Sequence, residues 1–386
     1  MPGVSFGDNG GMTSASHSSA SAEPFEGLRI RGVAKTFGTD TTVLNEIDLD
    51  VHPGELISLV GSSGTGKSTL LRIIAGLEEP SAGRVTYAGQ SLKRGLVGVV
   101  FQRPILYPHL SVKDNILFPT RLGAFSGGVD MDYYRELLEA LKLEGLESRK
   151  PSQLSGGQAQ RVGIARALIR RAPVVLFDEP LASVDEEMSA SIRADIVRLH
   201  ERYGFTGLYV THDQNEALML GQRVAVMDAG YLVQVDTPER LLAHPHTLQV
   251  AKLLAAPALN LVALEDSEFL PAGCGLAIRA TALCPVAADA AHSLPVQVLG
   301  SRHLVGGMLY RARLLEAVSL PLESRRASAD SELSARMYAR VRAGQELEFF
   351  IPDAQGGASL SVGDRVHLGV AAERCFLFSK GKRFYL

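Results

Sequence analysis

A nine-residue segment, GSSGTGKST, constrains the fold of this 386-residue chain more than any other feature. It matches the pattern G-x-x-x-x-G-K-[ST] and lies between the apolar run ELISLV and KSTLLRIIAGL, in which apolar residues recur at helical spacing. A strand, a glycine-rich loop and a helix in this order form a phosphate-binding loop, whose backbone N–H groups turn towards the phosphates. The helix presents its positive N-terminal end to them. The segment therefore predicts a nucleotide site in an α/β domain.

The loop and the first helical turn supply the predicted contacts to the nucleotide. The Lys67 ammonium is expected to reach the β- and γ-phosphates, and the Ser68 hydroxyl is expected to ligate Mg²⁺. The predicted nucleotide-binding residues of this segment are Gly61, Ser62, Ser63, Gly64, Thr65, Gly66, Lys67, Ser68 and Thr69. A nucleoside triphosphate and Mg²⁺ are therefore the expected cofactors.

A second apolar run, VVLFDEP, ends on two acids, Asp178 and Glu179. Such a run predicts a buried strand that delivers both carboxylates to the carboxyl edge of the sheet. Asp178 suits the outer coordination sphere of Mg²⁺, while Glu179 is placed to orient or deprotonate an attacking water. ATPases, GTPases and kinases all combine such acids with a phosphate-binding loop, so these two motifs leave the reaction class open.

The segment LSGGQAQRVGIARAL, residues 154–168, lies between the two motifs and narrows the class. Ser155 and the two glycines after it come just before a predicted helix, where a hydroxyl and free N–H groups face an anion. The segment resembles the signature motif of ABC-type ATPases. The resemblance implies that Ser155, Gly156, Gly157 and Gln158 close over the γ-phosphate of an ATP held by a second subunit. A head-to-tail dimer of two copies, with two ATP·Mg²⁺ between them, is therefore expected.

Four further elements of the ABC family occur in the family's order. VVFQ ends at Gln102, which resembles the Q-loop glutamine that approaches Mg²⁺ and water. Asp185 in LASVD matches the nucleotide-binding D-loop, and His212 in YVTHD resembles the switch histidine that contacts the γ-phosphate and the catalytic acid. Phe37 matches the aromatic residue that stacks on adenine. The resemblance implies as catalytic residues Glu179, His212 and Gln102, and as Mg²⁺ ligands Ser68, Gln102 and Asp178.

Length and patterning predict two folded units after a tail. The chain is longer than one average domain. Residues 1–26 are crowded with Gly, Ser and Ala and are predicted to be a disordered tail. Residues 27–244 alternate strand and helix patterns, which predicts an α/β domain with a largely parallel sheet. The resemblance specifies an ABC-type nucleotide-binding domain with a helical subdomain.

Residues 245–386 have a different character, with short apolar stretches punctuated by Gly and Pro. This pattern predicts a small, mostly-β domain. MDAGYLVQVDTPERLLAHPHTLQVAKLLAAPALNLV and the later VGDRVHLGVAAERCFLF resemble importer ATPases that carry a C-terminal OB-like regulatory domain. The chain is thus identified as similar to the ATP-binding subunits of importers.

Charge and hydropathy limit the classes of partner that this chain can have. The net charge of −3 supplies no basic field for phosphates, so no nucleic acid is expected to bind. Every apolar run is shorter than the roughly 20 residues needed to span a bilayer, so action at a membrane requires docking onto another protein. The resemblance implies integral-membrane permease subunits and, indirectly, an extracytoplasmic solute-binding protein. It places the chain at the cytoplasmic face of the inner membrane.

The cargo is the least constrained feature. LYPHLSVKDNI resembles importers of sugars and related solutes more than importers of polyamines, sulfate or ferric iron, in which Phe often replaces Tyr107. An ATPase subunit for one of those three cargoes remains an alternative. A soluble, non-transport ABC ATPase is the alternative of a different class, although the second motor unit or long inserted coiled coil typical of such proteins is not found in the sequence. A P-loop kinase would instead transfer phosphate to an added acceptor.

Overall fold

A computed structural model describes residues 25–92, 95–122, 129–265, 274–322, 337–355, 360–371 and 375–383. The predicted disordered tail, residues 1–26, lies outside the described residues except for its last two. Among the residues described, no helix is long and apolar enough to cross a bilayer.

Strands and helices alternate through the part of the chain that carries the motifs. In chain order they are β1 (Leu28–Phe37), β2 (Thr41–Val51), β3 (Leu56–Val60), α1 (Lys67–Ile74), β4 (Ala82–Tyr87), β5 (Gln90–Ser91), β6 (Val97–Val100), α2 (Val112–Leu117), α3 (Met131–Ala140), α4 (Gly156–Leu168), β7 (Val174–Asp178), α5 (Glu186–Tyr203), β8 (Thr206–Thr211), α6 (Gln214–Leu220), β9 (Arg223–Asp228), β10 (Tyr231–Asp236), α7 (Pro238–Ala243) and α8 (Leu248–Leu253).

A six-stranded sheet with the order β10-β9-β3-β8-β7-β6 forms the centre of this part. All neighbouring strands are parallel except β9 and β10, so the predicted largely parallel sheet is confirmed. Every residue of β3 and β8 is buried, as expected for strands covered on both faces. Because parallel strands end at the same edge, the residues that follow β3, β7 and β8 meet there.

A second sheet, with the order β2-β1-β4-β5, is antiparallel. An apolar core joins it to the central sheet and to α1, with Ile30, Ile57, Leu71 and Leu208 among its fully or almost fully buried members. This packing fixes β3 and α1 on either side of the glycine-rich loop. The predicted order of strand, loop and helix is confirmed.

The predicted helical subdomain consists of α2, α3 and α4, between β6 and β7. Tyr133 of α3 and Ile164 of α4 belong to its buried core. The guanidinium of Arg161 donates to the carbonyl of Leu141, 2.9 Å away, and pairs at 2.6 Å with Asp195 of α5, which is fully buried. Arg161 thereby connects α4 to α5 through a buried ion pair and to the residue after α3 through a hydrogen bond.

The rest of the described chain is built almost entirely of strands. They are β11 (Leu259–Ala263), β12 (Cys274–Arg279), β13 (Leu283–Val286), β14 (Leu294–Leu304), β15 (Gly307–Leu314), β16 (Val318–Leu322), β17 (Met337–Val341), β18 (Glu346–Pro352), β19 (Arg365–Val370), β20 (Cys375–Ser379) and β21 (Lys382–Arg383). They form antiparallel sheets with the orders β11-β12-β20-β21, β13-β19-β14-β15-β18 and β16-β17. The prediction of a mostly-β C-terminal part is confirmed, and the boundary at residues 244–245 stays a prediction.

Arg279 connects this β region to the preceding helices. It is 8% exposed, and it donates hydrogen bonds to the carbonyls of Leu254, at 2.7 Å, and Leu242, at 3.2 Å. Both carbonyls lie at or just after the short helices α7 and α8. A single buried cation thus satisfies backbone groups on the far side of the junction between the two parts.

Candidate nucleotide site

The glycine-rich loop begins directly after β3 and ends at Gly66, the residue before α1. Gly66 has φ of 97°, in the left-handed region that side-chain-bearing residues rarely adopt. A Cβ at this position would lie 2.7 Å from Leu44 Cδ2 and 2.8 Å from the Val43 carbonyl oxygen. Both the backbone conformation and the close approach of β2 therefore require glycine here.

The remaining loop residues divide into an exposed crest and a buried base. Ser62, Ser63 and Gly64 are exposed, whereas Thr65 is buried and donates its hydroxyl to the Ser62 carbonyl at 2.9 Å. Thr69, on the first turn of α1, is half-buried. The exposed crest leaves the loop's backbone open to a phosphate chain, while the base holds its shape.

Lys67 is the first residue of α1, its side chain reaches back to the start of the loop, and it is 5% exposed. Its ammonium donates to the carbonyls of Gly61, at 2.7 Å, and Ser62, at 2.9 Å. Burial lowers its pKa, and the nearby carboxylates of Glu179 and Asp178 oppose that shift. A charge desolvated in this way interacts more strongly with a neighbouring anion than it would in water.

Ser68, on the first turn of α1, and Asp178, at the end of β7, are hydrogen-bonded to each other. The Ser68 hydroxyl donates to Asp178 Oδ1 at 3.2 Å, which joins α1 to the end of β7. Burial raises the pKa of Asp178; the bond from Ser68 lowers it and the charge of Glu179 raises it further. A hydroxyl and a carboxylate are the hard oxygen donors that Mg²⁺ prefers, so this pair fits the predicted metal. Among the described residues, no hydrogen bond joins Gln102, the third predicted ligand, to either of them.

Glu179 and His212 follow the neighbouring strands β7 and β8. His212 Nδ1 lies 3.1 Å from Glu179 Oε2. Glu179 has φ of 44°, and its N–H donates to the Val210 carbonyl at 2.9 Å. A non-glycine residue in this strained region is held there by its surroundings and is characteristic of functional sites. With its side chain 22% exposed, the carboxylate is accessible to a water and is oriented by the imidazole.

Ser155, at the start of the signature segment, is the N-cap of α4. Its Oγ accepts from the Gln158 N–H at 3.2 Å, and Gln158 Oε1 accepts from the Ser155 N–H at 3.0 Å. Both side chains thus stabilise the first turn of α4. Gly156 is open on its Cβ side, whereas a Cβ on Gly157 would lie 2.6 Å from Met188 Cγ.

The signature segment makes no direct polar contact with the phosphate-binding loop among the residues that the structure describes. No hydrogen bond or ion pair between described residues joins residues 155–158 to residues 61–69. Asp185, the predicted D-loop residue, is exposed and caps α5 by accepting from the Met188 N–H at 2.9 Å. Met188 therefore links the D-loop helix to Gly157. These predicted residues form a second group, separate from the phosphate-binding loop.

Gln102 and Phe37 lie in exposed positions. Gln102 follows β6, and the carbonyl of its neighbour Phe101 accepts from Gln160 Nε2 of α4 at 3.1 Å. Phe37 ends β1, is 43% exposed, and has the Lys35 ammonium 4.9 Å from its ring centroid. Gln102 is thus coupled to the signature helix through the backbone, and the adenine contact of Phe37 stays a prediction.

One buried group near His212 is absent from the sequence prediction. Glu216 of α6 is 7% exposed and accepts hydrogen bonds from Thr211 Oγ1, at 2.8 Å, and the Tyr209 hydroxyl, at 3.1 Å. Arg193 of α5 lies 3.5 Å from its other oxygen. No local sequence signal marks this residue, because a glutamate on a short helix is normally exposed. Its partners lie on other elements and were not evident.

The phosphate-binding loop, the Ser68–Asp178 pair and the Glu179–His212 pair lie at one edge of a parallel sheet. They define a P-loop nucleoside triphosphatase. Comparison with known proteins gives the particular family. Residues 44–182 match the family model of the ABC transporter.

Individual related proteins match this chain over a longer range than residues 44–182. The sn-glycerol-3-phosphate import ATP-binding protein UgpC of Paraburkholderia xenovorans is 36% identical over 84% of this chain and 97% of its own length. UgpC 1 of Rhizobium johnstonii is 44% identical over 61% of this chain, and the match spans 65% of that relative. The solved structure of cbiO1 from Clostridium perfringens, part of the ABC transporter complex cbiONQ, superposes with a TM-score of 0.51 at 27% identity, over 56% of this chain and 90% of that one. The chain belongs to the ABC transporter family, and the predicted importer-type ABC ATPase is confirmed.

Proposed function

We propose that this chain hydrolyses ATP at two sites shared between two copies of itself and thereby energises solute import through separate membrane permease subunits. The observation that carries the proposal is the division of the predicted site into two groups. One group surrounds Lys67 and Glu179, and the other surrounds Ser155 and Gly157. A second copy docked head-to-tail would place its signature segment over the phosphate-binding loop of the first.

Each residue of the loop group has a chemical role that follows from its position. Lys67 supplies a desolvated positive charge to the β- and γ-phosphates. Ser68 and Asp178, with Gln102, would hold Mg²⁺, which when bound neutralises charge on the phosphates. The Glu179 carboxylate accepts a proton from the attacking water or orients it, and His212 keeps that carboxylate in place.

The signature group contributes the hydroxyl of Ser155 and the N–H groups at the start of α4, which is thirteen residues long. An anion at this end of a helix is stabilised by unpaired N–H groups and by the helix dipole. Closure of two copies is then favoured by the γ-phosphate that both contact. Hydrolysis removes that contact, so the open arrangement becomes favoured.

The cargo proposal rests on the relatives. Those compared above are named for import of sn-glycerol 3-phosphate, a small polyol phosphate. A sugar or a related solute is therefore the favoured cargo, with the chain at the cytoplasmic face of the inner membrane and an extracytoplasmic binding protein delivering the solute to the permease. Purification of the intact complex, followed by a calorimetric screen of its binding protein with sn-glycerol 3-phosphate, sugars, spermidine, sulfate and ferric iron, tests the cargo.

Intermolecular complementation tests the shared site. Lys67→Ala and Ser155→Arg should each abolish ATP hydrolysis when present in both copies. In an equimolar mixture, about half of the dimers pair one variant with the other and retain one intact site, so about a quarter of the wild-type rate should return. Circular dichroism of each variant controls for folding. A mixture that stays as inactive as the separate variants contradicts a site assembled from two chains.

A further inference from the structure

Arg193 of α5 lies between two acids that belong to different helices. Its guanidinium donates to Glu186 Oε1 at 2.9 Å, and another nitrogen of the same group lies 3.5 Å from Glu216 Oε1. The side chains of Arg193 and Glu216 are 13% and 9% exposed, whereas that of Glu186 is 85% exposed. The arginine therefore connects an acid at the surface to an acid in the interior.

Glu186 is the first residue of α5 and follows the predicted D-loop residue Asp185 directly. Arg193 lies about two turns further along this helix, so the two residues share a face and the guanidinium reaches back to Glu186. A planar guanidinium can hold two acids in a fixed arrangement, which the single ammonium of a lysine cannot. Glu186 thus anchors the group that faces Glu216.

Glu216, on α6, holds the chain on both sides of His212. Its Oε2 accepts from Thr211 Oγ1 at 2.8 Å, and Thr211 Oγ1 in turn accepts from the Asp213 N–H at 3.0 Å. The His212 side chain itself is 57% exposed, and the only hydrogen-bonding contact of its imidazole with the described part of the chain is the one with Glu179. The placement of the imidazole therefore depends on the two residues that flank it.

We propose that Arg193 is a positioning residue for His212 and acts through Glu216. Among the described residues, Arg193 forms the one ion pair of Glu216. A buried carboxylate that loses its counter-charge is destabilised, and a hydrogen-bond network with one member removed rearranges. His212 would then no longer hold Glu179 in the orientation that the attacking water requires. The inference rests on the proposed function, since it concerns the hydrolysis step assigned there.

The proposed dimer allows this role to be separated from a general effect on folding. Each ATP site would take Lys67, Glu179 and His212 from one chain and Ser155 from the other. A Lys67→Ala chain paired with a Ser155→Arg chain has one intact site, and the His212 of that site belongs to the Ser155→Arg chain. A change at Arg193 should therefore slow hydrolysis only when it is placed in the Ser155→Arg chain.

Steady-state hydrolysis by equimolar mixtures of full-length chains tests this, with Lys67→Ala plus Ser155→Arg as the reference. Arg193→Met in the Ser155→Arg chain should lower the rate at least about fivefold, whereas the same change in the Lys67→Ala chain should lower it less than about twofold. The loss should lie in kcat and not in KM, because the phosphate-binding loop of the intact site is unchanged. Arg193→Lys, which keeps the charge, should restore part of the rate.

Arg202→Met is the matched control, because Arg202 is an arginine of the same helix that pairs with Glu136 at 3.1 Å, away from His212. It should leave the rate unchanged in either chain. If the Arg193→Met chain fails to fold by circular dichroism, Glu216→Gln takes its place in the same two mixtures, with the same expected asymmetry.

The outcomes separate the inference from the proposed function. Equal losses in the two mixtures would identify Arg193 as a residue of general structural importance and overturn the inference, as would the absence of a loss in both. A loss confined to the Lys67→Ala chain overturns it as well, since the affected His212 would then be the one at the inactive site. A reference mixture without activity contradicts the proposed function itself, and with it the shared site on which the inference rests.

Discussion

The Nδ1 atom of His212 lies 3.1 Å from Oε2 of Glu179, although 33 positions separate the two residues in the chain. The contact exists because β7 and β8 are parallel neighbours, so the residues after them emerge side by side. Glu179 adopts φ of 44° at this point, and the Val210 carbonyl of β8 holds its N–H. The sheet therefore supplies both the meeting of the pair and the unusual backbone that exposes the carboxylate.

Glu179→Gln should lower the rate of ATP hydrolysis by at least about 10²-fold, because an amide cannot accept the proton of the attacking water. ATP binding should persist, since Lys67 and the loop are unchanged. Single-turnover hydrolysis and nucleotide binding measure the two effects, and size-exclusion chromatography with ATP should show an accumulated dimer. Normal turnover in this variant would remove Glu179 from the proposed role.

Asp178→Asn should raise the melting temperature at pH 7 while it lowers Mg²⁺-dependent hydrolysis by about 10²-fold or more. Burial raises the pKa of the folded-state carboxyl, so the folded chain binds its proton more tightly than the unfolded chain. The charged form thus costs stability above that raised pKa. The cost is relieved as pH falls through the raised value towards the ordinary value of 3.8.

The stabilisation from Asp178→Asn should accordingly be largest near neutral pH and shrink in acid. Melting curves of both proteins between pH 4 and pH 7 measure it. Ser68→Ala, which removes the partner hydroxyl but keeps the carboxylate, is the control and should not raise the melting temperature. A difference between Asp178→Asn and wild type that grows in acid would contradict the assigned direction.

Gly66→Ala should destabilise the fold more than Gly145→Ala. Both glycines have positive φ, 97° and 75°, which costs an alanine about 1–2 kcal/mol. Only Gly66 adds a close approach, 2.7 Å to Leu44 and 2.8 Å to Val43, whereas nothing lies within 4 Å of a Cβ on Gly145. Urea denaturation measures the difference, and equal losses of unfolding free energy would show that β2 does not confine the loop.

Gly157→Ala should destabilise the chain by up to about 1 kcal/mol relative to Gly156→Ala, because its Cβ would lie 2.6 Å from Met188 Cγ and the flexible methionine side chain must move. Gly156→Ala, with open space around its Cβ, is the matched control and should change stability by less than about 0.5 kcal/mol. Met188→Ala should rescue part of the loss, so a double-mutant cycle of unfolding free energies should give a favourable coupling. Additive effects of Gly157→Ala and Met188→Ala would contradict the contact.

The C-terminal end of α3 is not predicted by the sequence pattern. The apolar residues of YYRELLEALKLEGL recur in a helical pattern, but α3 ends at Ala140. Lys142 has φ of 54° and Gly145 has φ of 75°, so the chain turns while its leucines continue into the same core. An apolar periodicity indicates which residues are buried, not where a helix ends. In this segment the buried residues continue past the end of α3, to Leu141 and Leu143.

Side-chain roles were harder to predict than positions. The signature motif predicts that Ser155 and Gln158 contact a nucleotide, and in the structure the two residues also form a capping box. The spacing Ser-x-x-Gln before a helix carries that information. Asp185 similarly caps α5. A residue at a helix start can serve the backbone of its own chain and still lie where a second chain would present a phosphate.

By itself the sequence determined the features that neighbouring residues encode. The phosphate-binding loop, the signature segment and the strand ending in Asp178 and Glu179 are contiguous, and backbone conformation within a few residues follows from glycine, capping and apolar pattern. Their order along the chain was sufficient for the family.

Only the tertiary structure decided which distant side chains meet. It joined Gln160 to Phe101, and Glu216 to Thr211 and Tyr209, and it opened a crevice between α6 and the β region. It also set the geometry of the contact between His212 and Glu179, which the family resemblance implies without a distance. Such contacts depend on the order and register of strands and on how helices pack against them. These contacts are determined by which distant segments are buried against each other, and a local sequence pattern does not contain that information.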